Sequence, residues 1–113
     1  MRLALRRGEV FCEDFALRVR WYVREAGGEV GFRFQRAVDA TLELLGVQPG
    51  IGRQRRFHHP NLQNLQSFPV QRPFGRLLIF YRVSGNVLYA MRLIHGARDL
   101  PTRLSERPEP DAD

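Results

Sequence analysis

The sequence predicts an α+β fold: a helical hairpin packed on a small twisted antiparallel sheet, in the order β-α-α-β-β-β. Three observations predict it. Apolar residues between Val10 and Leu45 recur at spacings of three and four, as on a helix with one buried face. From Leu65 onward the segments are short and rich in β-branched and aromatic residues, the mark of strands. Two glycine joints, Gly27-Gly28 and Ser84-Gly85-Asn86, pair the elements into a helical hairpin and a β-hairpin.

Each element follows in order. A short strand over Leu3 to Arg6 opens the chain. The first helix carries Phe11, Phe15, Val19, Tyr22, Val23 and Ala26 on one face, and Gly27-Gly28 stops it. The second starts near Glu29 with the stripe Val30, Phe34, Ala37, Val38, Thr41 and Leu45. Gly46 and then Pro49-Gly50 end it. Residues 49–64 read as loop. Leu65 to Val70, Leu77 to Val83 and Val87 to Ile94 read as strands. A three-residue turn at 84–86 would oppose Val83 to Val87. Arg82 and Arg92 would then share a face with Leu78, Phe80, Leu88 and Ala90. An apolar face with two arginines suits a groove that a partner covers.

Composition bounds the rest. A chain of 113 residues with 43% hydrophobic content fits one folded domain, expected over 1–104. No run of about 18 apolar residues is present, so no membrane span is expected. The opening MRLALRRGE lacks the apolar core of a secretory signal. Cys12 is the one cysteine, which excludes an internal disulfide and fits a reducing, cytoplasmic setting; a small buried hydrophobe is its expected role. The net charge is +6, and all 18 basic residues are arginine. The segment 105–113 carries net −3 and is rich in proline, so a disordered acidic tail is expected and +9 is left on the body. Such a body attracts nucleic acid or an acidic protein.

Several short motifs invite chemistry. PGIGR at 49–53 lacks the spacing of a phosphate loop and reads as a turn. Arg53, Arg55 and Arg56 beside Phe57 are solvated loop charge or a contact for an acidic partner. His58-His59 has no acid or cysteine at ligand spacing, so neither metal nor cofactor is expected. Tyr81 reads as a packed, hydrogen-bonded tyrosine, and Arg82 as a candidate for a phosphate or carboxylate. The last strand ends in His95-Gly96-Ala97-Arg98-Asp99. Gly96 lets the chain leave at an angle, and Asp99 caps the turn at 100–103. His95 with Arg98 suits acid–base work on RNA. Equally, Arg98 and Asp99 suit ion pairs that tie down the chain end.

These segments together resemble the RelE/ParE superfamily of type II toxin–antitoxin modules, closer to its ParE branch. The resemblance spans roughly residues 10–104. It rests on Asp14-Phe15 followed by Val19 and Tyr22, on Pro49 with Gly52-Arg53, and on Leu65 to Val70. It continues through Leu78 to Val83 and ends on Arg92 to Asp99, its most specific part. The resemblance implies the fold already reached. It also implies an antitoxin encoded alongside, whose C-terminal segment wraps the toxin and through which operator DNA is reached. ParE-like relatives are associated with poisoning DNA gyrase. RelE-like relatives cut mRNA in the ribosome with a basic set on the sheet. For that second activity Arg98 matches an arginine of the family and His95 and Arg82 are the best further candidates, but no lysine is present, no tyrosine follows Tyr89, and Leu78 and Gln66 stand where arginine is common. For partner or target binding the candidates are Arg82, Arg92, His95, Arg98, Arg53, Arg55 and Arg56. Gly96, Asp99 and Tyr81 are structural candidates.

Overall fold

The computed structural model describes residues 2–58, 60–96 and 104–105. The expectations for His59, Arg98, Asp99, the turn at 100–103 and tail residues 106–113 lie outside them. Strand β1 spans Ala4–Arg7, helix α1 Glu9–Ala26 and helix α2 Gly28–Val47. Strands β2 (Arg53–Gln54), β3 (Gln66–Pro69), β4 (Leu77–Ser84) and β5 (Val87–His95) follow. They form one sheet in the order β1-β5-β4-β3-β2.

The fold class stands as expected, and the sheet adds two features. Strand β1 runs parallel to β5, with Ala4 opposite Val87 and Arg7 opposite Ala90, so the sheet is mixed. The connection between this parallel pair runs through the helical hairpin and strands β2, β3 and β4. The segment expected as plain loop contributes the edge strand β2 and 3₁₀ turns at Pro49–Ile51 and Pro60–Leu62.

One face of the sheet meets the helices. Phe11, Phe34, Val38, Leu42 and Leu45 pack against Leu77, Ile79, Tyr81, Leu88, Ala90 and Leu93. Each such side chain contributes about 1.5–3 kcal/mol on burial. The other face carries Leu62, Leu65, Phe80, Ile94 and Leu104, with Phe57, Leu78 and Met91 beside them. Cys12, expected inside, is exposed on α1. Its neighbour on the helix surface, Phe11, takes the core position instead.

The hairpin register differs from the expectation. The turn has two residues, Gly85-Asn86, so Ser84 faces Val87 and Val83 faces Leu88. Gly85 at φ 60 fills the first central position, where one class of two-residue hairpin calls for glycine. Such a turn should split Arg82 from Arg92. A bulge prevents it: Tyr81 faces Ala90 but Phe80 faces Arg92, leaving Met91 as the extra residue. Arg82 and Arg92 therefore do share a face with Leu78 and Phe80. Leu88 and Ala90 lie on the helix side instead.

Candidate functional site

The end of β1 creates a problem that Asp14 solves. Among the described residues no strand covers the outer edge of β5 beyond Ala90, and a buried unpaired N–H is costly. Helix α1 passes there, and its Asp14 Oδ2 accepts the Leu93 amide at 2.9 Å. The same carboxylate takes a two-pronged bond from Arg92, Nε at 2.8 Å and Nη2 at 3.1 Å. Arg92 Nη1 donates to the Leu104 carbonyl at 2.8 Å. Both charged residues are buried, Asp14 6% and Arg92 8% exposed. Burial pushes the Asp14 carboxyl above its usual range, while the Arg92 bond and the Leu93 amide pull it back. Arg92, a partner-contact candidate from the sequence, thus faces Asp14 and Leu104 within the protein.

Tyr81 sits 0% exposed in the core and donates its hydroxyl to the Pro49 carbonyl at 2.7 Å. Gly52 leaves the room for it. A Cβ at 52 would lie 2.0 Å from the Tyr81 oxygen, so no side chain fits there without displacing a buried ring. This contact explains the Pro49 and Gly52 spacing that the sequence shows without a reason.

Burial raises the Tyr81 phenol above its usual range, and the Gly52 amide, which favours the phenolate, opposes the rise. Free tyrosine loses its proton near pH 10. Above about pH 10 the unfolded chain therefore holds fewer protons than the folded one, and stability falls as pH rises. Tyr81→Phe should flatten that alkaline fall in urea midpoints taken from about pH 8 to about pH 11. An unchanged slope in the variant would sink the assignment.

Arg55 directly follows β2 and bonds Ser67 Oγ through Nε at 2.7 Å. Its guanidinium sits 5.7 Å from the centre of the Phe80 ring, a cation–π contact. Burial, and next the charge of Arg53, lowers the Arg55 guanidinium from the usual arginine range. Arg53 and Arg56 are exposed. Arg53, Ser67, Phe80 and Arg92 are cross-strand neighbours in one row, hence on one face.

Arg82 is on that face too, its Nε bonded to the Gln63 carbonyl at 2.9 Å. It borders a cavity of about 310 Å³ whose walls include Leu62, Leu65, Met91 and Leu104, with Glu9 at its rim. His95 is elsewhere. It pairs with Leu77, at the far end of β4 from Arg82 and on the helix-facing side. Leu77 and Arg82 are five positions apart, roughly 16 Å along a strand. His95 Nδ1 is buried with no hydrogen-bond partner among the described residues. Gly96 donates its amide to the Arg76 carbonyl at 2.8 Å, and a Cβ there would stand 3.0 Å from Leu78 Cδ1. Its role is close packing as the strand ends.

The structure thus brings Arg53, Arg55 and Arg82 to one face and separates His95 from them. Asp14 is the residue that sequence reasoning missed as a site. It was noted only as part of a motif, although an acid on the apolar side of a helix is itself a signal of a buried partner. Among the described residues no three His, Cys, Asp or Glu side chains come together to hold a metal, and no helix is long and apolar enough to cross a membrane.

Three comparisons with known proteins bear on the family and the fold. No curated protein matches the chain. A solved structure described as the chromosomal ParDE toxin–antitoxin system from P. aeruginosa shares the fold, with TM-score 0.67 and 16% identity. The likeness covers 83% of this chain and 96% of that one. The family model for the ParE toxin of type II toxin–antitoxin systems, parDE, matches residues 13–100, a span holding the Asp14–Arg92 pair, Gly52 and Tyr81. The chain belongs to that ParE toxin family.

Proposed function

We propose that this toxin acts in the cytoplasm by binding DNA gyrase and stopping supercoiling, and that a cognate antitoxin encoded beside it keeps it silent. The observation that carries the reading is the separation of His95 from Arg82, two of the three nuclease candidates. An RNA-cleaving site needs its acid–base group and its cations within hydrogen-bond reach of one phosphate. His95 and Arg82 lie on opposite faces, and Arg92 is held by Asp14. That arrangement favours a binding surface over a ribosome-dependent endoribonuclease.

The antitoxin reading rests on the cavity beside Arg82. Its apolar walls and the positive charge around it suit an acidic amphipathic segment, whose association would weaken with salt.

Induction of the chain without antitoxin should arrest growth, with DNA synthesis stopping before translation. Purified gyrase should lose supercoiling activity when the toxin is added in excess and regain it with antitoxin. Intact supercoiling together with cuts in the ribosomal A site of mRNA would overturn the proposal in favour of the endoribonuclease.

A further inference from the structure

Charge is divided between the two halves of this protein. From Leu44 to Arg98 the chain holds eight arginines and not one aspartate or glutamate. The acids lie before and after that stretch, and Glu43, Asp39, Glu25 and Asp14 are matched to Arg2, Arg7, Arg24 and Arg92. None of these pairs involves β2, the edge strand of the sheet.

That edge is where the acid-free half concentrates its charge. Arg53 and Arg56 are exposed, and Arg55 lies between them with Nε fixed on Ser67. The three span roughly 10 Å of extended chain. Arg72 and Arg76, both exposed, follow β3 with the same sign. No exposed phenylalanine, tyrosine or tryptophan accompanies them among the described residues; the exposed ring beside them is the imidazole of His58. Phe57 packs into the second apolar cluster, and the exposed large aromatics Phe32 and Tyr89 are on α2 and β5.

We infer that the β2 edge, through Arg53, Arg55 and Arg56, grips the phosphate backbone of duplex DNA without regard to sequence. Guanidinium forks match phosphate oxygens. A duplex offers about six phosphates over 10 Å of its axis, so three arginines find partners in any register. Single strands bind through successive stacking rings, and beside this edge the described residues offer the His58 imidazole alone. An acidic amphipathic peptide is better served by the apolar cavity of Leu62, Leu65 and Met91, whose lining includes none of Arg53, Arg55 and Arg56. Arg55 is crowded by Arg53, a repulsion that an incoming phosphate relieves. This contact is independent of which enzyme the toxin poisons.

The test is fluorescence anisotropy of the full chain, freed of antitoxin, with labelled duplexes of two unrelated sequences. Both should bind equally. Three phosphate contacts predict a salt slope near −2.7, hence about a forty-fold loss from about 50 to about 200 mM salt. Arg53→Gln with Arg56→Gln should cut that loss to about 3.5-fold, and Arg53→Lys with Arg56→Lys should restore most of it. Absence of binding at low salt would overturn the inference, leaving the arginines as charges that protect an open strand edge. A glutamine pair with the parent's slope would also overturn it, as would tighter binding to polyglutamate than to DNA.

Discussion

Replacing Asp14 with alanine is expected to destabilise the protein by about 3–5 kcal/mol. The change leaves the Arg92 guanidinium buried without its counter-charge and the Leu93 amide without its acceptor. Both groups then bear the desolvation penalty that the carboxylate now offsets. Domains of this size hold about 5–15 kcal/mol in total, so the variant stands near the edge of folding. Its melting midpoint should fall by roughly 12–20 °C. The loss comes from orphaning a charge, so removing both partners is the informative control. Asp14→Leu with Arg92→Met should cost far less than either single change, because no buried charge remains. Urea denaturation of the four proteins in a double-mutant cycle measures this. A single variant that loses under about 1 kcal/mol would show the pair to be solvated rather than buried.

Phe34→Ala is expected to cost a similar about 3–5 kcal/mol. Phe34 is 0% exposed on α2, with ring centres 4.9 Å from Tyr22, 5.3 Å from Phe74 and 6.1 Å from Phe15. Tyr22 and Phe74 also meet edge to face at 5.2 Å. The cluster therefore joins both helices to the chain between β3 and β4. Truncation opens a cavity where those three segments meet, and rings held at these angles cannot close it without losing contact with one another. Phe34→Leu, which keeps most of the volume, should lose under about 1.5 kcal/mol. Equal losses for alanine and leucine would mean that ring geometry, and not filled volume, sets the energy.

The site was less legible than the fold. The spacing of Phe11, Phe15, Val19 and Tyr22 marked α1, and the observed helix begins one residue before the expected start at Val10. The strands lie within a residue or two of the β-branched runs. Local pattern suffices there because each helix or strand must bury one face, and the period of that face is written into consecutive residues. Arg82 was placed on the right face, though by a route that left out both the short turn and the bulge. Each shifts the register by one residue in the same direction, and a two-residue shift returns Arg92 to the same face.

By itself, the sequence determined the two helices and their hairpin, the first strand and the last three in their order, and the concentration of arginine, but not β2. Only the tertiary structure decided that β1 runs parallel to β5, that Met91 bulges and that Arg92 is a buried partner of Asp14, 78 residues away. It also placed His95 and Arg82 on opposite faces. The physical reason is range. Periodicity reports what a residue's near neighbours must bury. The fate of a charge depends on whichever distant group reaches it first, carboxylate or water, and only the closed fold sets that distance.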